Sequence, residues 1–158
     1  MQLKIKLSEI IGGMDLGGEI TGYLNKRTGK ILLINDDDLR MAEDEESLDE
    51  LPDWQQECIE ETQEFLKYKK DFLPLPTRHE IHEYDIMKEF CRSLPNPQVT
   101  PRLLQVINMR GAFRMFKDLC TEYGFIDEWY RYRDRAFKII AVQWCADNKI
   151  EFIDDVII

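Results

Sequence analysis

Apolar and polar positions alternate with period two at the start of the chain, where Leu3, Ile5 and Leu7 share one face and predict a short strand. Ser8, followed by Glu9-Ile10-Ile11, is placed to cap a brief helix that Gly12-Gly13 and Gly17-Gly18 would end. Tyr23-Leu24-Asn25 and Ile31-Leu32-Leu33-Ile34 flank Lys26-Arg27-Thr28-Gly29, whose glycine suits the left-handed position of a β-hairpin over residues 20 to 35. From Pro52 the period becomes helical, with Trp54, Cys58, Thr62, Phe65 and Leu66 as the expected buried stripe. Phe72-Leu73-Pro74-Leu75-Pro76 reads as an extended connector, because two prolines forbid a helix through it. Thr77, with Glu80 three residues on, then opens a helix to about Ser93 whose stripe is Ile81, Tyr84, Met87, Cys91 and Leu94. Three more helices follow. One starts at Thr100-Pro101 with Leu103, Leu104 and Ile107 inward, one lies between Gly111 and Gly124 with Phe113, Phe116, Leu119, Cys120 and Tyr123 inward, and one spans residues 126 to 147. Residues 151 to 158 read as a terminal strand able to pair with the hairpin.

With 158 residues and 18.8 kDa this pattern is one domain's worth of chain. The expected fold is α+β and mostly helical, a small antiparallel sheet of hairpin and terminal strands on about five helices. Its regions are a strand and hairpin part (1 to 35), an acidic connector (36 to 51), a helical part (52 to 148) and the terminal strand (150 to 158). A hydrophobic content of 44% argues against disorder, and the longest apolar run, Ile139 to Cys145, is too short to span a bilayer. The net charge of −10 opposes nucleic-acid phosphates and anionic lipid. That charge is segregated. Residues 36 to 64 hold fourteen acids and one base, Arg40, whereas residues 102 to 138 hold eight bases and five acids. Glu57, Glu60, Glu61 and Glu64 read first as a solvated helix face and second as an acidic partner surface.

Candidate chemistry is sparse. Cys58, Cys91, Cys120 and Cys145 lie far apart in helical patterns and are expected to be reduced core residues; with no apolar export segment at residues 1 to 6, the expected location is the cytoplasm. His79-Glu80-Ile81-His82-Glu83 misses the helical zinc signature by one residue, so the expected roles are a surface contact for His79 and a hydrogen-bonded one for His82, with no metal and no cofactor. The basic and aromatic stretch supplies the candidate anion-binding or partner-binding residues Arg110, Arg114, Lys117, Arg131 and Arg133, with His82 beside them. Arg114 and Asp118 are spaced to bond each other. Arg133 falls in helical register with Trp129, Phe137, Ile140 and Trp144, where a guanidinium needs a partner: a carboxylate such as Glu83, Asp85, Asp118 or Asp134, or an external anion. A helix-turn-helix reading of residues 100 to 123 fails on its short turn and on the surrounding charge. Nucleophile-elbow, P-loop, dinucleotide and EF-hand patterns are absent.

Several strings together carry a family resemblance: Tyr23-Leu24-Asn25-Lys26 leading to Thr28-Gly29, Leu51-Pro52-Asp53-Trp54, Leu73-Pro74-Leu75-Pro76, Ile81-His82-Glu83-Tyr84, Gly111-Ala112-Phe113-Arg114, Phe116-Lys117-Asp118, Trp129 to Asp134, and Ala141 to Cys145. They resemble the bacterial uncharacterised protein family 0158 over most of the chain. Members commonly have Lys-Gly before the Ala-Phe-Arg and a second Arg after it, positions held here by Arg110 and Met115. The resemblance implies membership and brings no assigned activity. The residues themselves favour a non-enzymatic module that binds a protein partner or a second copy of itself. The alternative is an enzyme or sensor for a phosphorylated or carboxylated small molecule, held through His82, Arg114, Lys117 and Arg133.

Overall fold

The computed structural model describes residues 4 to 16, 19 to 44 and 50 to 157, and for His79 the backbone alone. Leu3, Gly17-Gly18, residues 45 to 49 of the expected connector and the His79 side chain therefore lie outside the description. The fold class is as the periodicities indicate: α+β and mostly helical. The chain divides into two compact units, Met1–Arg78 with Ala141–Val156, and His79–Ile140 with Ile157–Ile158.

In the first unit, strand β1 (Lys4–Lys6) leads directly into helix α1 (Leu7–Met14). The hairpin strands β2 (Ile20–Asn25) and β3 (Ile31–Asn35) are joined through Gly29, which adopts φ 77°. Asn25 Oδ1 accepts the Arg27 amide at 2.9 Å, so the turn's polar groups are met locally. Helix α2 (Asp36–Glu43) and helix α3 (Asp53–Lys67) follow, then a single 3-10 turn at Lys69–Asp71 and strand β4 (Phe72–Pro74). The antiparallel sheet has the order β3-β2-β4.

Pairing differs from expectation in one respect. The terminal strand β5 (Glu151–Ile153) lies parallel to β1, with Ile5 opposite Phe152, and the hairpin's third strand is the connector segment β4. Pro74, lacking an N–H, sits at the end of this edge strand, the position a proline tolerates in a ladder.

Two further differences have local causes. Gly12 and Gly13 lie inside α1 and do not end it. Gly13 is needed there for close approach, since a Cβ on it would collide with Leu75 Cδ1, and a Cβ on the facing Gly22 of β2 would stand 2.6 Å from the Gly13 carbonyl oxygen. Nor does Ser8 cap α1: it lies within the helix, whose N-cap position is Lys6 and carries no side-chain cap. Asp155 accepts from the Ser8 amide at 2.9 Å and from its hydroxyl at 2.5 Å, which ties the chain after β5 to the start of α1. Residues 36 to 43 of the expected connector form α2. Asn35 Oδ1 accepts the Asp37 amide at 2.8 Å, three aspartates occupy the first turn where the helix dipole favours them, and Ala42 is buried.

The second unit is helical. Helix α4 (Arg78–Ile81) and helix α5 (Glu83–Ser93) replace the single expected helix, because His82 takes a left-handed backbone with φ 54°. The break shifts the stripe: Met87, Phe90 and Cys91 are buried, and Tyr84 stands half out against Phe113 at 4.8 Å. Helix α6 (Thr100–Ile107) and helix α7 (Ala112–Glu122) come next, with Gly111 at φ 72° before α7 and Gly124 at φ 78° after it. The Phe125 amide returns to Cys120 O at 2.7 Å, which closes α7 with a Schellman motif. Helix α8 (Ile126–Asp147) gives residues 126 to 140 to this unit and 141 to 147 to the other. Trp129 is the largest fully buried side chain, packed with Met87, Phe90, Leu103, Phe116 and Cys120. Among the described residues no helix is long and apolar enough to cross a membrane.

Candidate functional site

Glu83 is the first residue of α5, set there by the left-handed turn at His82, so its carboxylate stands at the positive end of the helix dipole. Arg133 reaches it from α8, fifty residues on. Its Nε donates to Glu83 Oε1 at 2.6 Å. The two side chains are 18% and 22% exposed, and the guanidinium lies 4.2 Å from the centroid of the buried Phe137 ring. The charge that the helical register places on an apolar stripe is thus met by an internal carboxylate and an aromatic face. A planar guanidinium can do both at once, stacking on a ring while donating in its own plane.

Of the other candidate residues His82, Arg110, Arg114, Lys117 and Arg131, none is joined to Glu83 by an ion pair among the described residues. His82 is exposed and makes no side-chain cap to α5. Arg110 is exposed in the turn before Gly111. Arg114 and Lys117 are exposed on α7, where Asp118 and Glu122 share the solvent side, and Arg114 forms no ion pair with Asp118 among the described residues. Arg131 is exposed, its Nε 3.5 Å from Asp127 O one turn back. The α7 surface is therefore mixed in charge.

The thiols divide three to one. Cys91, Cys120 and Cys145 are buried. Burial pushes their pKa up, to about 11, about 12 and about 11, so at neutral pH each is a protonated core thiol with no thiolate to act as nucleophile. Cys58 is exposed, contrary to its expected core role. Desolvation first, then the carboxylates of Asp38, Glu61 and Glu57, raise its thiol as well. Among the described residues no group of three His, Cys, Asp or Glu is gathered to hold a metal ion.

Helix α3 explains the Cys58 result. Its buried residues are Ile59, Thr62 and Phe65, while Trp54 is 66% exposed. The buried face is Ile59, Thr62 and Phe65, with Gln55 and Leu66 half-buried in register with Ile59 and Thr62. Ile59, absent from the expected stripe, was the signal: Trp54 cannot share a face with it at a spacing of five. Helix α2 packs against α3, and Asp38 of α2 faces the Cys58 turn.

Comparison with known proteins finds the model of the Uncharacterised protein family (UPF0158) matching residues 3–156. The chain is also similar to a UPF0158 protein of Pseudomonas aeruginosa, 27% identical over 150 residues, which cover 94% of this chain and 86% of that one. No solved structure matches. With the family model matching residues 3–156 and a relative aligned over 94% of the chain, the chain belongs to the uncharacterised protein family UPF0158.

Proposed function

We propose that the chain is a non-enzymatic interaction module of the cytoplasm, acting on a protein partner through its exposed helix faces. The observation that carries this reading is the Arg133–Glu83 pair at 2.6 Å. An anion site built on Arg133 needs that guanidinium free to meet a ligand, and here an internal carboxylate holds it against Phe137. The remaining bases, Arg110, Arg114, Lys117 and Arg131, are exposed, as a docking face allows and a concave catalytic site does not. The protonated state of the buried cysteines speaks against thiol catalysis, and four free cysteines suit a reducing compartment.

Thermal unfolding in the presence of phosphate, pyrophosphate, citrate and sugar phosphates tests the reading. The expected result is no saturable rise in Tm with any one anion, and a lower Tm for Arg133→Ala under all conditions. A saturable rise with one anion that Arg133→Ala or Arg114→Ala abolishes would replace the module by the small-molecule site.

A further inference from the structure

Among the described residues, one flank of α3 is covered along half its length only. Toward the C-terminus Phe65 is 6% exposed, with Tyr23 of β2 at 4.5 Å and Phe72 of β4 edge-on at 5.1 Å, and buried Thr62 returns its hydroxyl to Cys58 O at 2.8 Å. One and two turns earlier, Cys58 and Trp54 continue the flank into solvent. A tryptophan 66% exposed leaves most of its large apolar surface in water, which a partner surface would recover.

The rim of this open stripe is uniformly acidic. Asp38 of α2 and Glu57 and Glu61 of α3 surround the Cys58 turn, and Asp53 lies one residue before Trp54 and Glu57 three residues after it. Arg40, the one base among fourteen acids between residues 36 and 64, is engaged by Asp37. The carboxylates beside the stripe therefore have no basic side chain of their own segment left to neutralise them. An aromatic ring ringed by carboxylates is complementary to an apolar ridge edged with Lys and Arg, and attracts such cations through both charge and the ring face.

We propose that the Trp54–Cys58 stripe is a docking surface for a cationic amphipathic helix of a partner protein. The partner's apolar side packs over Trp54 and Cys58, which are one turn apart and so match the ridge spacing of a helix, while its Lys and Arg side chains reach Asp38, Glu57 and Glu61. Tryptophan is the residue type that most often anchors such an interface. Anionic partners are repelled here. A second copy is disfavoured too, since α7, which carries exposed Arg114 and Lys117, also presents Asp118 and Glu122. The inference rests on the interaction-module reading and adds to it the surface and the chemistry of the partner.

The test uses the full chain and three synthetic peptides of about 18 residues, five helical turns each. One alternates Leu and Lys at amphipathic spacing, one replaces Lys by Glu, and one keeps Lys but replaces Leu by Ser. The Leu/Lys peptide should bind and shield tryptophan emission from acrylamide. Trp54→Ala should weaken it by at least about tenfold, and Glu57→Gln with Glu61→Gln should weaken it and flatten its salt dependence. The other two peptides should bind far less. Equal binding to wild type and Trp54→Ala would show charge attraction without a docking stripe and overturn the proposal, as would no binding at all. A wild-type dimer in sedimentation that Trp54→Ala dissolves would overturn it in favour of a second copy. Should the peptides fail while the anions still leave Tm unchanged, the module reading stands and the partner surface lies elsewhere. An Arg133-dependent anion effect removes the module reading itself.

Discussion

Trp129 and Trp54 both stand on helical stripes that their sequence spacing marks for burial, yet one is 1% exposed and the other 66%. Around Trp129 each neighbouring helix supplies a surface: Phe90 from α5 at 5.4 Å, Phe116 from α7 edge-on at 5.0 Å, and Leu103 from α6. Around α3 the sheet supplies Tyr23 and Phe72 to the C-terminal half and, among the described residues, no ring contact to Trp54. Period says which residues share a face. Whether that face is covered depends on what the rest of the chain brings to it, and an uncovered apolar residue beside carboxylates is where an interaction surface is expected.

The largest expected effect breaks this comparison at its buried end. Trp129→Ala should cost about 3–5 kcal/mol in urea unfolding, the range for emptying a large aromatic from a closed core. A cost below about 1 kcal/mol would mean that this core collapses around the gap or is already loose. Among the described residues Trp129 Nε1 has no hydrogen-bond partner, so Trp129→Phe should recover much of the loss by removing a buried donor along with part of the ring.

Next in size is the charged pair. Arg133→Ala leaves Glu83 half-buried without its cation and should cost about 1.5–3 kcal/mol, the value of a charge-assisted hydrogen bond rather than of a fully buried pair. Arg133→Lys should restore only part of it, because a compact ammonium cannot stack on Phe137 and donate to Glu83 as a guanidinium does. A double-mutant cycle with Glu83→Ala measures the coupling directly.

Smaller again is a backbone effect that sets one unit against the other. α7 and α8 end in the same Schellman motif, with Ile150 N donating to Cys145 O at 2.8 Å in the second case. The left-handed position is Gly124 after α7 and Lys149, at φ 56°, after α8. Lys149→Gly should stabilise by about 1 kcal/mol and Gly124→Ala should destabilise by about as much. Equal and opposite Tm shifts check both.

Asp155 gives a pH dependence. Its hydrogen bonds from the Ser8 hydroxyl and amide hold its carboxyl below the usual carboxylate value. The folded pKa is thus depressed, so its stabilising contribution is complete above the unfolded value of about 4 and is lost as pH falls through the folded value. Amide exchange in β1 and β5 should accelerate in that acid window, and Ser8→Ala, which removes the hydroxyl but keeps the backbone amide, should reduce the pH dependence while leaving faster exchange throughout.

Much of the fold was legible because period, glycine and proline act locally: the hairpin, the bounds of α8, and the helix ends at Gly111 and Gly124 follow from a few residues each. The pairing of β1 with β5 was not, since three-residue strands carry too little pattern to name a partner across most of the chain. The turn at His82 was hidden because nothing in its neighbours demands a left-handed residue, and it shifted the α5 stripe from Tyr84 to Phe90. At the candidate site, the need of Arg133 for a carboxylate was readable from register, and Glu83 was among the carboxylates within reach. The open flank of α3 was masked by Trp54 itself, whose size invites burial and drew the expected stripe away from Ile59.

The smallest stability effect belongs to the residue with the largest proposed role: Trp54→Phe should change unfolding free energy by less than about 0.5 kcal/mol, as a surface substitution does. The same variant supplies the decisive measurement, acrylamide quenching of tryptophan emission in the protein without any partner. With Trp129 buried and Trp144 half-buried with its indole N–H held by Pro74 O at 3.1 Å, the readily quenched emission should come from Trp54 and disappear in Trp54→Phe. A quenching constant unchanged by that substitution would contradict the account, since it would mean that the stripe is already covered.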